Sequence, residues 1–212
     1  MLSVCETFSS IQGESTRAGK PCFFIRLSGC SCACSYCDTE YAKAPGREYR
    51  IDELLELARR SGLKLVEVTG GEPLEQEETP LLCRRLLDDG FDVLLETNGT
   101  LPLDAVPAGV RRIVDCKLPS SGMAARNCVR NYRLLNADDE VKFVVGSRED
   151  FDYAVRVIED HRLAEIKCEL LVSPVWGKVE LSELADWVLK SRLPLRMQLQ
   201  MHKIIWGDRR GV

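Results

Sequence analysis

Apolar positions along this chain alternate between two periods. Short runs of apolar residues, bounded by glycine, proline and polar clusters, predict strands at Val4–Phe8, Cys22–Leu27, Leu65–Thr69, Phe91–Glu96, Arg112–Lys117, Glu140–Val145, Ile166–Val172 and Arg196–Gln200. Between them lie stretches with helical spacing. Ile51–Ser61 carries Leu54, Leu55, Leu57 and Ala58 on one face with Gly62 as a stop, and Pro80–Asp89 is closed by Gly90. Glu149–His161 and Leu181–Ser191 precede the last two strands. Apolar strands separated by amphipathic helices predict an α/β fold with a mostly parallel sheet and helices outside it. Polar and glycine residues gather after strand upon strand, at the end where such sheets bind ligands. No repeat, low-complexity tract or linker interrupts the pattern, so residues 1–212 read as one domain. An eight-fold barrel needs about 250 residues, so any barrel here is shortened.

Composition narrows the class. The 29 basic and 33 acidic residues are interspersed, with net charge −4, which gives no basic patch for nucleic acid. No run of apolar residues is long enough for a membrane span, and the start Met1–Glu6 lacks the basic and apolar regions of a signal peptide, so a cytoplasmic protein is expected. The ten cysteines then read as reduced thiols, several simply buried, rather than as a disulfide framework.

The candidate chemistry sits in the stretch Gly29–Thr39. Cys30, Cys34 and Cys37 form C-x3-C-x2-C, and three thiolates on one tight loop can each hold one iron of a cubane cluster. No fourth cysteine follows at ferredoxin spacing, which leaves one iron open to a small molecule. A zinc site is the alternative, with a fourth ligand from Cys32 or another cysteine. Two further stretches follow strands. Gly70-Gly71-Glu72-Pro73 reads as a strand-to-helix turn, and Thr97-Asn98-Gly99-Thr100 as a β-turn.

Taken together, the three-cysteine loop and the GGEP stretch one strand later resemble the radical S-adenosylmethionine superfamily. The N-terminal Phe8–Glu14, the run Gly19–Cys30, Cys37-Asp38-Thr39 and the C-terminal Gln198–Trp206 narrow this to a resemblance to the 7-carboxy-7-deazaguanine synthase family. It implies a partial β/α barrel of the radical S-adenosylmethionine type, a 4Fe-4S cluster on Cys30, Cys34 and Cys37, S-adenosylmethionine and Mg2+. Tyr36, Cys37, Asp38, Gly71, Glu72, Thr97, Asn98, Asp115, Cys116 and Lys117 would contact S-adenosylmethionine. Ile11, Gln12, Gly13, Arg26, Thr69 and His202 would contact the substrate, and Thr39 would bind Mg2+, although its hydroxyl also suits a helix cap. The reaction implied is ring contraction of 6-carboxy-5,6,7,8-tetrahydropterin to 7-carboxy-7-deazaguanine with loss of ammonia, served by a reductant such as flavodoxin, in a homodimer. His161, the second histidine, lies at a polar helix end and is expected to be solvated.

Two positions depart from the family pattern. Ser15 stands where a second glycine of G-E-G is usual, and Cys32 stands between cluster cysteines where a leucine-like residue is common. Cys32 is expected to face away if the other three converge. A glycyl-radical activase shares the loop and GGEP, but would not need the Ser10–Glu14 segment. A non-catalytic metalloprotein would need a fourth ligand and has no use for GGEP.

Overall fold

The computed structural model describes residues 1–212. Nine strands form one open sheet: β1 (Leu2–Ile11), β2 (Pro21–Leu27), β3 (Arg47–Tyr49), β4 (Leu65–Gly70), β5 (Asp92–Thr97), β6 (Arg111–Cys116), β7 (Glu140–Val145), β8 (Glu169–Pro174) and β9 (Leu195–Met197). Their order is β3-β1-β2-β4-β5-β6-β7-β8-β9, and the two ends do not meet. From β2 to β9 all neighbours are parallel, and β1 pairs antiparallel with both β2 and β3. The helices are α1 (Ile51–Ser61), α2 (Thr79–Asp88), α3 (Arg148–Asp160), the single turn α4 (Leu163–Ile166), α5 (Leu181–Ser191) and α6 (Met201–Trp206). None is long and apolar enough to cross a membrane.

Alternation along each strand sorts side chains between the two faces. Outward residues such as Ile25, Val66, Val68, Val93 and Leu95 pack with Leu54, Leu55, Leu82 and Leu86 of α1 and α2. A second cluster joins Val114, Cys116, Val141, Phe143, Leu170 and Val172 to Phe151, Ala154, Ile158, Leu184 and Trp187 of α3 and α5. The inner face carries only a small apolar floor, Cys22, Phe24, Leu65, Leu94 and Ile113, with Phe8 stacked on Phe24 at 4.9 Å. Much of the rest of that face is polar and lines a cavity.

Helix boundaries follow local chemistry. In α1 the Glu53 carboxylate accepts from Arg50 N at 2.7 Å, and Gly62 takes φ +67° to end the helix. Ser147 caps α3 by accepting from Asp150 N. Several sequence expectations are corrected. Ser10 and Ile11 belong to β1 rather than to the following loop. Ile166–Cys168 is not strand, because α4 occupies Leu163–Ile166 and Lys167 takes the left-handed conformation, so β8 begins at Glu169. The last strand is Leu195–Met197, and His202 and Lys203 lie in α6. His161 is half-buried and packs at a tilt against Tyr132, ring centroids 5.0 Å apart, instead of standing free in solvent.

Candidate active site

The loop after β2 crosses the C-terminal mouth of the sheet and meets the loops after β4 and β5. Gly71 makes the first meeting possible: a Cβ there would lie 2.0 Å from Gly29 O and 2.8 Å from Cys30 Cβ. Glu72 N donates to Gly29 O at 2.8 Å. The Glu72 carboxylate, fully buried, accepts from Thr97 Oγ1 (2.8 Å), Asn98 N (2.6 Å) and Leu74 N (3.0 Å). Burial pushes its pKa up to about 7, against the pull of these three donors. Glu72 therefore ties two loops together behind the wall and does not line the cavity, contrary to the expectation of a direct ligand contact.

One cavity of about 700 Å3 runs over the polar face of the sheet. Cys30, Cys34 and Cys37 all line it, while Cys32 does not. Cys32 is 3 % exposed, and burial raises its thiol pKa. The Asn98 Nδ2 atom lies 3.7 Å from Cys30 Sγ and 3.4 Å from Cys32 Sγ. Nowhere do three His, Cys, Asp or Glu side chains form a site for a single metal ion. A cubane asks something different, one thiolate on each iron, and three cysteines facing a common cavity fit that donor set.

Around this loop stand most of the residues singled out in the sequence. Tyr36 reaches across to donate to Val144 O at 3.2 Å. Burial opposes the charge of Asp38, but Lys203 and hydrogen bonds from Thr39 and Gln200 hold its pKa at about 2. The Thr39 hydroxyl donates to Asp38 Oδ1 at 2.9 Å and makes no helix-cap bond. Thr97, Asn98, Asp115 and Lys117 line the cavity, whereas Cys116 turns to the outer core because alternation along β6 sends it the other way. The Asp115–Lys117 pair (2.9 Å) keeps the lysine charged despite burial.

β1, β2 and the C-terminal segment supply further parts of the wall. Arg26 Nε donates to Glu6 Oε1 at 2.9 Å, and the guanidinium sits 5.9 Å from the Phe8 ring centre. Tyr41 OH donates to the same Glu6 oxygen at 2.8 Å. Ile11, Gln12, Gly13, Thr69 and His202 are all on the wall. Gln12 is a partial correction: its amide donates to Glu67 and accepts from Glu14 N at 2.6 Å, so the side chain chiefly fixes the loop. Gly13 lies so close to the terminal helix that a Cβ would fall 2.3 Å from His202 Nδ1.

Sequence reasoning missed the charged floor. Lys142 of β7 is buried and bonded to Glu96, to Glu14 at 3.0 Å and to Asp115 at 3.4 Å. Beside it, burial and the Glu96 charge raise Glu67 well above the usual carboxylate range. The available signal was a charged residue within each of several largely apolar strands. Residues 207–212, whose role could not be read from the sequence, complete the cavity wall, with the Arg210 guanidinium 3.9 Å from the Tyr41 ring centre.

An open parallel half-barrel whose mouth carries three cysteines beside a Gly-Gly-Glu-Pro turn defines a radical S-adenosylmethionine protein, and residues 24–124 match the Radical SAM superfamily model. The chain is 48 % identical to the 7-carboxy-7-deazaguanine synthase of Chlorobaculum tepidum, covering 100 % of this chain and 97 % of that one. That of Methanospirillum hungatei is 40 % identical, covering 96 % of this chain and 85 % of the relative. The chain belongs to the 7-carboxy-7-deazaguanine synthase family. Its fold is also that of QueE from Escherichia coli, TM-score 0.72 at 24 % identity over 95 % and 94 % of the two chains. Streptococcus suis SuiB shares the fold more distantly, TM-score 0.58 at 12 % identity, over 81 % of this chain and 48 % of that one.

Proposed function

We propose that this protein catalyses the reaction for which its relatives are named, forming 7-carboxy-7-deazaguanine from 6-carboxy-5,6,7,8-tetrahydropterin by ring contraction with loss of ammonia, on the way to queuosine-type bases. The observation that carries this reading is a single cavity lined by the three cysteines together with Arg26, Thr69, Gly13 and His202.

Cys30, Cys34 and Cys37 would hold a 4Fe-4S cluster, and the Gly71 backbone with Tyr36, Asp38, Thr97, Asn98, Asp115 and Lys117 would hold S-adenosylmethionine. When bound, these groups supply the reducing electron and the adenosyl fragment that abstracts a hydrogen atom from the pterin carbon bearing the carboxylate. The residues of the chain do the rest. Arg26 is held by Glu6 through Nε alone, which leaves its terminal nitrogens to grip a carboxylate as a fork. Gln12 is locked in place by Glu67 and Glu14 N, and so presents the backbone of Ile11 and Gly13 to the donor-acceptor edge of the pterin. Thr69 lines the cavity and donates to Glu96 at 3.2 Å, which leaves its oxygen free to accept from the substrate. Thr39, on the wall two residues after Cys37, would take Mg2+ together with a substrate carboxylate oxygen. A one-electron donor of the flavodoxin kind, a homodimer and a cytoplasmic setting complete the reading; all ten cysteines are free, as a reducing compartment requires.

The test is anaerobic. Reconstituted protein with dithionite, S-adenosylmethionine and Mg2+ should convert the tetrahydropterin to 7-carboxy-7-deazaguanine, read by mass spectrometry, with S-adenosylmethionine regenerated. Formation of 5'-deoxyadenosine beside untouched pterin would remove the substrate assignment.

A further inference from the structure

We propose that Asn98 sets the reduction potential of the cluster by donating a hydrogen bond to its Cys30 ligand, and that the extra thiol of Cys32 draws part of that donor away. The inference rests on the reading that Cys30, Cys34 and Cys37 hold the cluster. The carboxamide orientation is fixed from its other end: Asn98 Oδ1 accepts from Thr100 N at 2.9 Å and from Thr100 Oγ1 at 2.7 Å, which leaves Nδ2 facing the cysteine loop. Its backbone is fixed as well, since Asn98 N donates to the buried Glu72 carboxylate at 2.6 Å. That single amide nitrogen lies 3.7 Å from Cys30 Sγ and 3.4 Å from Cys32 Sγ, within the longer reach of contacts to sulfur. Asn98 is 6 % and Cys32 3 % exposed, so water competes poorly for either group.

A donor to a ligand sulfur draws electron density away from the iron. Reduction adds a negative charge, so the bond strengthens in the reduced state and the potential rises. Cys32 occupies the same donor without lining the cavity, so it acts through Asn98 rather than as a ligand. Asn98 then joins two loops and tunes the chemistry between them.

The experiment is an EPR-monitored redox titration of the reconstituted protein without S-adenosylmethionine. Asn98→Leu keeps the branched heavy-atom skeleton and removes the donor; it should shift the midpoint to more negative potential by up to a tenfold change in the reduction equilibrium, about 59 mV for one electron. Cys32→Ala should shift it in the positive direction by releasing the amide to Cys30. The two together should reproduce Asn98→Leu, because Cys32 has no route to the cluster once the donor is gone. A midpoint unmoved in Asn98→Leu, or a negative shift in Cys32→Ala, would overturn the proposal. If Asn98→Leu does not retain its cluster, the sign of the Cys32→Ala shift decides alone. Absence of a cluster in the unmodified protein, seen by absorption before any titration, would instead remove the cluster reading and this inference with it.

Discussion

Gly71 and Glu72 are adjacent residues that serve one junction by opposite means. At Gly71 the missing side chain matters: a Cβ would overlap Gly29 O at 2.0 Å, and that oxygen is backbone, held in place by Glu72 N. Gly71→Ala should therefore push the cysteine loop off the sheet, at a cost of about 1–3 kcal/mol in stability. Iron retained after anaerobic reconstitution should fall severalfold while far-UV circular dichroism holds; full iron loading would show that the loop can give. At Glu72 the charge matters. Its folded pKa of about 7 stands above the ordinary value of 4.5. Below 4.5 both folded and unfolded states hold the proton; between 4.5 and 7 only the folded state does, so this group removes stability as pH rises. The full effect above pH 7 is about 3 kcal/mol. Glu72→Gln loses an acceptor for Asn98 N or Thr97 Oγ1 and so is less stable at pH 5, yet carries no such slope. Urea denaturation of the cluster-free protein should show the gap between unmodified protein and variant narrowing from pH 5 to pH 8. A gap that widens would contradict the raised pKa.

Elements differ in how plainly they are written. α1 ends at Gly62 because the glycine takes φ +67°, and its apolar stripe is unambiguous, so its bounds are legible from residue types alone. β3 is three residues long with none buried, too short for any period to show. The start of β8 was misread because Ile166 and Cys168 alternate with Lys167 like a strand, while the chain is in fact turning there. The antiparallel pairing of β1 with β2 escapes local reading, yet it puts Arg26 beside Glu6 and against the Phe8 ring. That pairing makes Arg26 a fixed cation facing the cavity. Arg26→Ala should raise the pterin KM at least tenfold and leave S-adenosylmethionine affinity within about threefold, by steady-state kinetics and equilibrium binding; equal losses would take Arg26 out of the substrate site.

Across the whole molecule, the apolar runs that predicted strands also concealed the site. Glu67, Glu96, Asp115 and Lys142 each lie within a largely apolar strand, beside other charged residues such as Arg112 and Glu140, which by itself reads as one face turned to solvent. The parallel pairing of β4, β5, β6 and β7 sets these residues side by side, with Asp115 directly opposite Lys142 in register, and the three-cysteine loop and GGEP, which are contiguous in sequence, were legible because they do not depend on it. Lys142 is the centre of this arrangement, tying β7 to Glu96 on β5, Asp115 on β6 and Glu14 beyond β1. Burial works against its charge, but the carboxylates raise its pKa well above 10.5, while Lys117 and Lys142 lower that of Asp115 below 3.8 despite its burial. The unmodified network thus holds its stability from above the ordinary carboxylate range up to alkaline pH, and loses it as pH falls through the depressed pKa of Asp115. Lys142→Met keeps most of the length and removes the cation, leaving Glu14 and Glu96 without an ion-pair partner while Asp115 keeps Lys117, at a cost of about 3–5 kcal/mol at pH 8. The sign of the pH dependence then reverses. Carboxylates without a cation take up protons more readily folded than unfolded, so the variant should recover stability between pH 8 and pH 5.5 relative to the unmodified protein. Denaturation midpoints at the two pH values decide it: a deficit that shrinks on acidification means the lysine balances the acids of the cavity floor, and one that stays constant means Lys142 contributes packing alone.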